Sequence, residues 1–224
     1  SGTVRGVKVG EGRPGLLLTG QSRMIAQFDL LRMGEAEFLL AAPAECAGAL
    51  RAGLEKLHFA EDMEITEAAG VLSVIPGGGA REGGFAVGDS WPSPVPGFSF
   101  TLASSAEIPA AFEFARIGAL YPWPGKDWDS NTPALECGAL FAIDRFKGCY
   151  PGQEVVELSL NVGHPPRVLV GMEGPRLLSG AVDLEGGGQG QVTSAAGEAG
   201  VFRALVRVPW AKREQVVAGF HPLR

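Results

Sequence analysis

Long apolar runs are missing from this 224-residue sequence. The longest falls far short of the roughly 20 residues a helix needs to cross a bilayer. No charged-then-apolar leader is visible either, so neither a membrane span nor secretion is expected. Cysteine is scarce: Cys46, Cys137 and Cys149 are odd in number and irregularly spaced, unlike the even framework of a secreted disulfide protein. The cytoplasm is the natural compartment. Positive charge is in deficit, and a net charge of −6 leaves no broad basic field for gripping phosphates, so no direct nucleic acid contact is expected. The three histidines, His58, His164 and His221, lie far apart, with none at the i, i+4 spacing that sets two imidazoles on one helical face.

What remains is ordinary globular material, 46% hydrophobic and 20% charged, long enough for one large domain or two modest ones. Val4 to Val9 and Leu16 to Thr19 read as strands around Gly10-Glu11-Gly12-Arg13-Pro14-Gly15. That turn matches the dinucleotide pattern G-x-G-x-x-G, but a strand follows it where a helix is required, so it reads as a hairpin loop. Phe28 to Arg32 and Phe38 to Ala41 read as a strand pair, and Pro43 suits a helix start. Cys46, Leu50, Leu54 and Leu57 then line one helical face. Met63 with Ile65, and Val71 to Ile75, read as strands, and Pro76 to Gly84 as a loop without the Gly-Lys-Ser/Thr ending of a phosphate site.

Phe98, Phe100 and Leu102 alternate along a further strand, and Pro109 to Ile117 reads as a helix with Ala111, Phe114 and Ala115 inward. The fold class is α+β, with helices on one side of antiparallel sheets. After Pro165-Pro166, short strands at Val168 to Met172, Val182 to Leu184, Gln191 to Thr193 and Phe202 to Val208 read as a small β-barrel.

Most candidate sites are weak. Asp127, Asp129 and Asn131 start like a calcium loop, but Thr132 and Gly138 stand where glycine and glutamate are required, so a solvated acidic loop is expected. Cys137 and Cys149 are too far apart in sequence for a Cys-x-x-Cys pair. Trp123 and Trp128 flank the acidic loop and could stack on a heterocycle, although packing is the simpler use.

The strong signal is Lys147-Gly148-Cys149-Tyr150-Pro151-Gly152-Gln153-Glu154. Two glycines and a proline suit a tight turn, and a cation beside a thiol favours the thiolate. In an extended loop Lys147 and Cys149 share a face, which would bring the ammonium to the sulfur while Tyr150 shields the pair. The plainer reading is a turn that contains a small core hydrophobe.

This stretch resembles the K-G-C-Y-x-G-Q-E signature of the YgfZ family, folate-binding relatives of the glycine-cleavage T protein. Leu17-Leu18-Thr19-Gly20-Gln21-Ser22-Arg23 resembles the family's LLT-x-x-G-R segment, with Ser22 where glycine is usual. Phe38-Leu39-Leu40 with Pro43, Arg116-Ile117 with Pro133 and Glu136, and Gly190-Gln191-Val192-Thr193-Ser194 resemble further family segments. By the same resemblance the sequence opens one strand and one helix later than is usual in the family.

The resemblance implies a T-protein-like fold: two interleaved α/β subdomains over 1–165, then a C-terminal β-barrel over 166–224, around a central hole that receives tetrahydrofolate. It implies support of iron–sulfur enzymes, including a tRNA methylthiolase, and so an indirect part in tRNA modification. Cys149 and Lys147 would be the reactive pair. Arg116, Glu136, Tyr150, Gln153 and Glu154 would serve the folate side, the last two by bracing the loop. The aminomethyltransferase itself is the competing reading, but Ala26 and Gln27 stand where T proteins carry an acidic pair. A folate-binding module without chemistry of its own is the third. Leu158 and the Gly163-His164-Pro165-Pro166 stretch depart from the family pattern, which places an arginine and a basic segment there; Arg167 is the nearest substitute.

Overall fold

The computed structural model describes residues 6–59, 62–78 and 85–223. Three antiparallel sheets carry the chain. The first contains β1 (Glu11–Leu18), β2 (Met24–Arg32), β3 (Phe38–Ala41) and β5 (Phe85–Ala86), in the order β3-β2-β1-β5. The second contains β4 (Val71–Pro76), β6 (Ser90–Pro92) and β7 (Phe98–Ala103), in the order β4-β7-β6. The third contains β8 (Arg167–Gly174), β9 (Ala181–Asp183), β10 (Gln189–Glu198), β11 (Val201–Pro209) and β12 (His221–Pro222), in the order β12-β8-β11-β10-β9.

The β2–β3 pair forms as the sequence implies, with Arg32 opposite Phe38. The glycine-rich segment before it does not loop. Gly10 ends a turn, and residues 11 to 15 run inside β1, with Gly12 opposite Leu31 and Gly15 opposite Phe28. Only Glu11 and Gly12 also pair with β5, so Pro14 lies where β1 is an edge and its missing amide is tolerated. The expected strand at Val4 to Val9 lies partly outside the described residues, and its remainder forms no strand. Met63 and Ile65 also lie in irregular chain, with Met63 half exposed and no partner strand among the described residues. The Pro76 to Gly84 loop falls largely outside the described residues.

Helix α1 (Ala44–Leu57) starts after Pro43 and packs against β2. Gly53 permits this approach, because a Cβ there would lie 2.4 Å from Leu17. Cys46 and Leu50 are buried, whereas Leu57 is 53% exposed, so the apolar stripe ends one turn before the helix does. Helix α2 (Ala110–Gly118) buries Phe112, Arg116 and Ile117; of the expected inward residues Ala115 packs against the core, Phe114 is half-buried and Ala111 is exposed. The sheet it covers includes β10 and β11, whose Ser194 hydroxyl meets Arg116. A third helix, α3 (Gln153–Asn161), stands where no helix was read. Its Val-Val pair and lack of a side-chain cap conceal it in sequence.

One apolar cluster joins β1, β2, α1 and the turn at Ala139–Ala142, and includes Cys46, Trp128 and Cys137. A second fills the space between the first two sheets around Trp91, Phe100, Phe112 and Trp123. A third belongs to the C-terminal sheet, with Met172, Val206 and Phe220. That sheet is open among the described residues, where a closed barrel was expected. Its edge strands β9 and β12 span three and two residues, too short for a closing ladder. The Glu185 N–H bond to Val216 O at 2.8 Å helps tie that side.

Candidate functional site

The Lys147–Glu154 segment bends at Lys147-Gly148, runs without regular structure through Cys149-Tyr150 and turns at Pro151-Gly152 into α3. Gly152 explains the motif's second glycine twice over. Its φ is +83°, and a Cβ would sit 2.7 Å from Thr19 O and 2.8 Å from Ser22 N. The segment therefore docks its backbone directly on the tight turn that joins β1 to β2. That turn is closed by Ser22 N–H to Thr19 O (2.9 Å) and by Arg23 N–H to Thr19 Oγ1 (3.1 Å). Ser22 adopts φ +61°, which accounts for glycine being usual there.

The thiol of Cys149 is exposed on this turn, whereas Cys46 and Cys137 are buried. Burial pushes Cys46 up to about 11, with a backbone hydrogen bond at Gln27 opposing and Glu45 adding to the rise. Burial pushes Cys137 up to about 12, against smaller lowering effects from the Ala139 amide and Arg207. Lys147 packs its ammonium over the Tyr150 ring, 5.2 Å from the centroid. Burial draws that ammonium below its usual range, partly offset by Asp144. Burial also raises the Tyr150 phenol, whose buried hydroxyl has no hydrogen-bond partner among the described residues.

Gln153 and Glu154 form the first turn of α3, where Gln153 N–H donates to Tyr150 O at 3.2 Å and the Glu154 carboxylate favours the helix dipole. Side-chain bracing comes from residues not singled out in the sequence. Arg145 donates to Glu157 at 3.0 and 2.6 Å and to Asn161 at 3.0 Å, tying the approach to the motif onto α3. That pairing becomes visible only once 153–161 is known to be helical, which sets Glu157 and Asn161 on one face.

Lys147, Tyr150 and Pro151 form one wall of a cavity of about 220 Å³ on the first sheet. Its floor includes Leu17, Phe28, Leu30, Leu40 and Leu54, with Arg13 also lining it. The register explains the floor: Arg13 faces Leu30, Leu30 faces Leu40, and Gly15 faces Phe28, so all share one face of the sheet.

Arg116, expected on the folate side, is committed inside the protein. Its side chain is fully buried, and its five N–H groups are all used. Nε and Nη2 donate to Glu113 (2.8 and 2.6 Å), Nη1 to Asp127 (2.7 Å) and Tyr121 O (3.1 Å), and Nη2 also to Ser194 (2.7 Å). No donor is left for folate, because α2 turns Arg116 inward onto β10. Asp127 is likewise wholly buried, unlike Asp129 and Asn131, which are exposed as expected of a solvated acidic loop. It accepts from Trp123 N–H (2.9 Å), Ser194 Oγ (2.7 Å) and Thr193 Oγ1. Arg116 and Asp127 thus clamp α2 and the loop after it onto the third sheet. Glu136 is almost buried, and its carbonyl accepts from Leu169 N–H at 2.9 Å at the start of β8.

Trp123 and Trp128 are buried and pack in the core, their indoles donating to Glu45 (2.9 Å) and Gln27 (3.2 Å). Gln27 also donates to Pro122 O at 3.2 Å, so its amide is committed inside the protein. Among the described residues no group of three metal-binding side chains exists, and no helix is long and apolar enough to cross a membrane.

No family model and no curated protein matches this chain. Among solved structures it is similar to the glycine cleavage system aminomethyltransferase T from Bartonella henselae. The TM-score is 0.71 at 22% identity, over 92% of this chain and 70% of that one. The fold is T-protein-like. That likeness concerns fold alone; the family question rests on the residues of the motif.

Proposed function

We propose that this protein binds a tetrahydrofolate and uses the Cys149 thiol, with Lys147 beside it, in supporting iron–sulfur enzymes, as the YgfZ-like motif implies. The observation that carries the reading is the contrast among three thiols. Cys46 and Cys137 are buried and pushed toward the neutral form, while Cys149 is exposed on a turn whose glycine fits only by docking on the Thr19–Ser22 turn. The T-protein-like fold supports the folate half, since the similar solved structure is an aminomethyltransferase of the glycine cleavage system.

Aminomethyl transfer is the second reading, favoured by that same likeness. Against it stand Ala26 and Gln27, both buried, with the Gln27 amide engaged by Trp128 and Pro122. Neither side chain takes up a proton. With Arg116 removed from the ligand side, Glu136 remains the folate candidate away from the motif.

Titration with tetrahydrofolate and its 5-formyl and 5,10-methylene forms tests the folate half; saturable binding of at least one is expected, and three flat titrations refute it. Cys149→Ser tests the thiol half. The variant is expected to fold and to fail in restoring iron–sulfur enzyme activity to cells lacking the protein, and normal complementation refutes the thiol's role.

A further inference from the structure

The cavity beside the motif has a chemistry of its own. Its floor is aliphatic and aromatic, yet Phe28, Leu30, Leu40 and Leu54 are only half-buried, so apolar surface there meets solvent. Half-buried leucines around a concavity are characteristic of small-molecule pockets, where a few polar groups fix orientation. Here the charged side chains in the lining are both cationic, Arg13 from β1 and Lys147 from the motif. Burial disfavours the Lys147 ammonium and Asp144 offsets this only in part, so a second anion beside it opposes the remaining desolvation.

We infer that this cavity binds a small amphipathic carboxylate, its hydrocarbon on Leu40, Leu54 and Phe28 and its carboxylate between Arg13 and Lys147. The volume of about 220 Å³ equals that of about seven water molecules in the liquid. It suits a monocarboxylate of about ten non-hydrogen atoms. The two cations select against an amine of the same length, and the aliphatic floor selects against a short polar anion. This ligand is separate from the proposed folate, and its cavity lies beside the turn that bears Cys149.

Ligand-observed NMR with octanoate, octylamine and acetate tests this on the intact protein. Octanoate is expected to bind saturably and the other two not at all at equal concentration. Arg13→Met and Lys147→Met are each expected to weaken octanoate about fivefold. Leu40→Trp, which fills the cavity, is expected to abolish binding while the protein still melts cooperatively; Leu54→Trp fills it from the helix side if the first variant does not fold. Absence of saturation by about 10 mM octanoate, equal binding of octylamine, or undiminished binding to a folded tryptophan variant overturns the proposal. The tetrahydrofolate titration is run separately, so octanoate failing while folate binds removes this inference alone.

Discussion

Asp127→Ala removes the centre of the clamp between α2 and the C-terminal sheet. Four donors lose their acceptor at once: Arg116 Nη1, the Trp123 amide and the hydroxyls of Thr193 and Ser194. Arg116 is left with Glu113 as its one carboxylate partner, and both members of the lost pair are fully buried. Breaking a buried pair from one side typically destabilises by about 3–5 kcal/mol. For a chain of this length that lowers the melting temperature by about 6–20 °C. Asp127→Asn is expected to lose less, because its amide oxygen can keep the Arg116 and Trp123 bonds while the Thr193 and Ser194 hydroxyls turn to accept from its NH₂. The assay is thermal and urea unfolding of the two variants, with Arg116→Met and the Arg116→Met/Asp127→Ala double variant closing the cycle. The double variant is expected to lose much less than the sum of the singles. A loss below about 1 kcal/mol for Asp127→Ala refutes the clamp. An Arg116→Lys protein with normal stability and no folate binding would return Arg116 to the ligand side.

Iodoacetamide at pH 8 is expected to label Cys149 alone in the native protein and all three cysteines in urea. At that pH a thiol titrating near 11 (Cys46) or 12 (Cys137) is ionised to about one part in a thousand or ten thousand; peptide mapping reads the result, and native labelling of Cys46 at the rate of Cys149 refutes it. Ser22→Gly relieves a left-handed serine at φ +61° and is expected to be neutral or stabilising by up to about 1 kcal/mol; a drop in melting temperature would show that the serine side chain matters more than its backbone strain. Burial raises Glu113, but hydrogen bonds and charges from Arg116 and Lys126 outweigh it and hold the carboxyl below its usual range. Its contribution is therefore full above the unfolded value near about 4.3 and is lost as the pH falls through the folded one. Melting curves of the wild type and Glu113→Gln are expected to converge below about pH 4, and a constant gap from pH 3 to 6 contradicts the assignment.

The sequence by itself determined the elements whose signal is local. Alternation gave β7, the β2–β3 pair followed from two apolar runs around Met33-Gly34-Glu35, and Pro43 marked the start of α1. It also marked the turn around Cys149, because glycine and proline act through their own backbones. Local rules failed where a distant partner decides. Gly10 to Gly15 looks like a loop until β2 supplies a ladder for it. Arg116 looks like a surface cation near a ligand, and Asp127 like a solvated acid, until α2 and β10 bury them against each other at 2.7 Å. The cavity is the clearest case. Arg13, Leu40, Leu54 and Lys147 are dispersed over more than half of the chain, and the sheet register together with the Gly152 contact brings them to one wall. Periodicity records which side of its own element a residue faces, whereas what lies opposite is set by long-range pairing and packing.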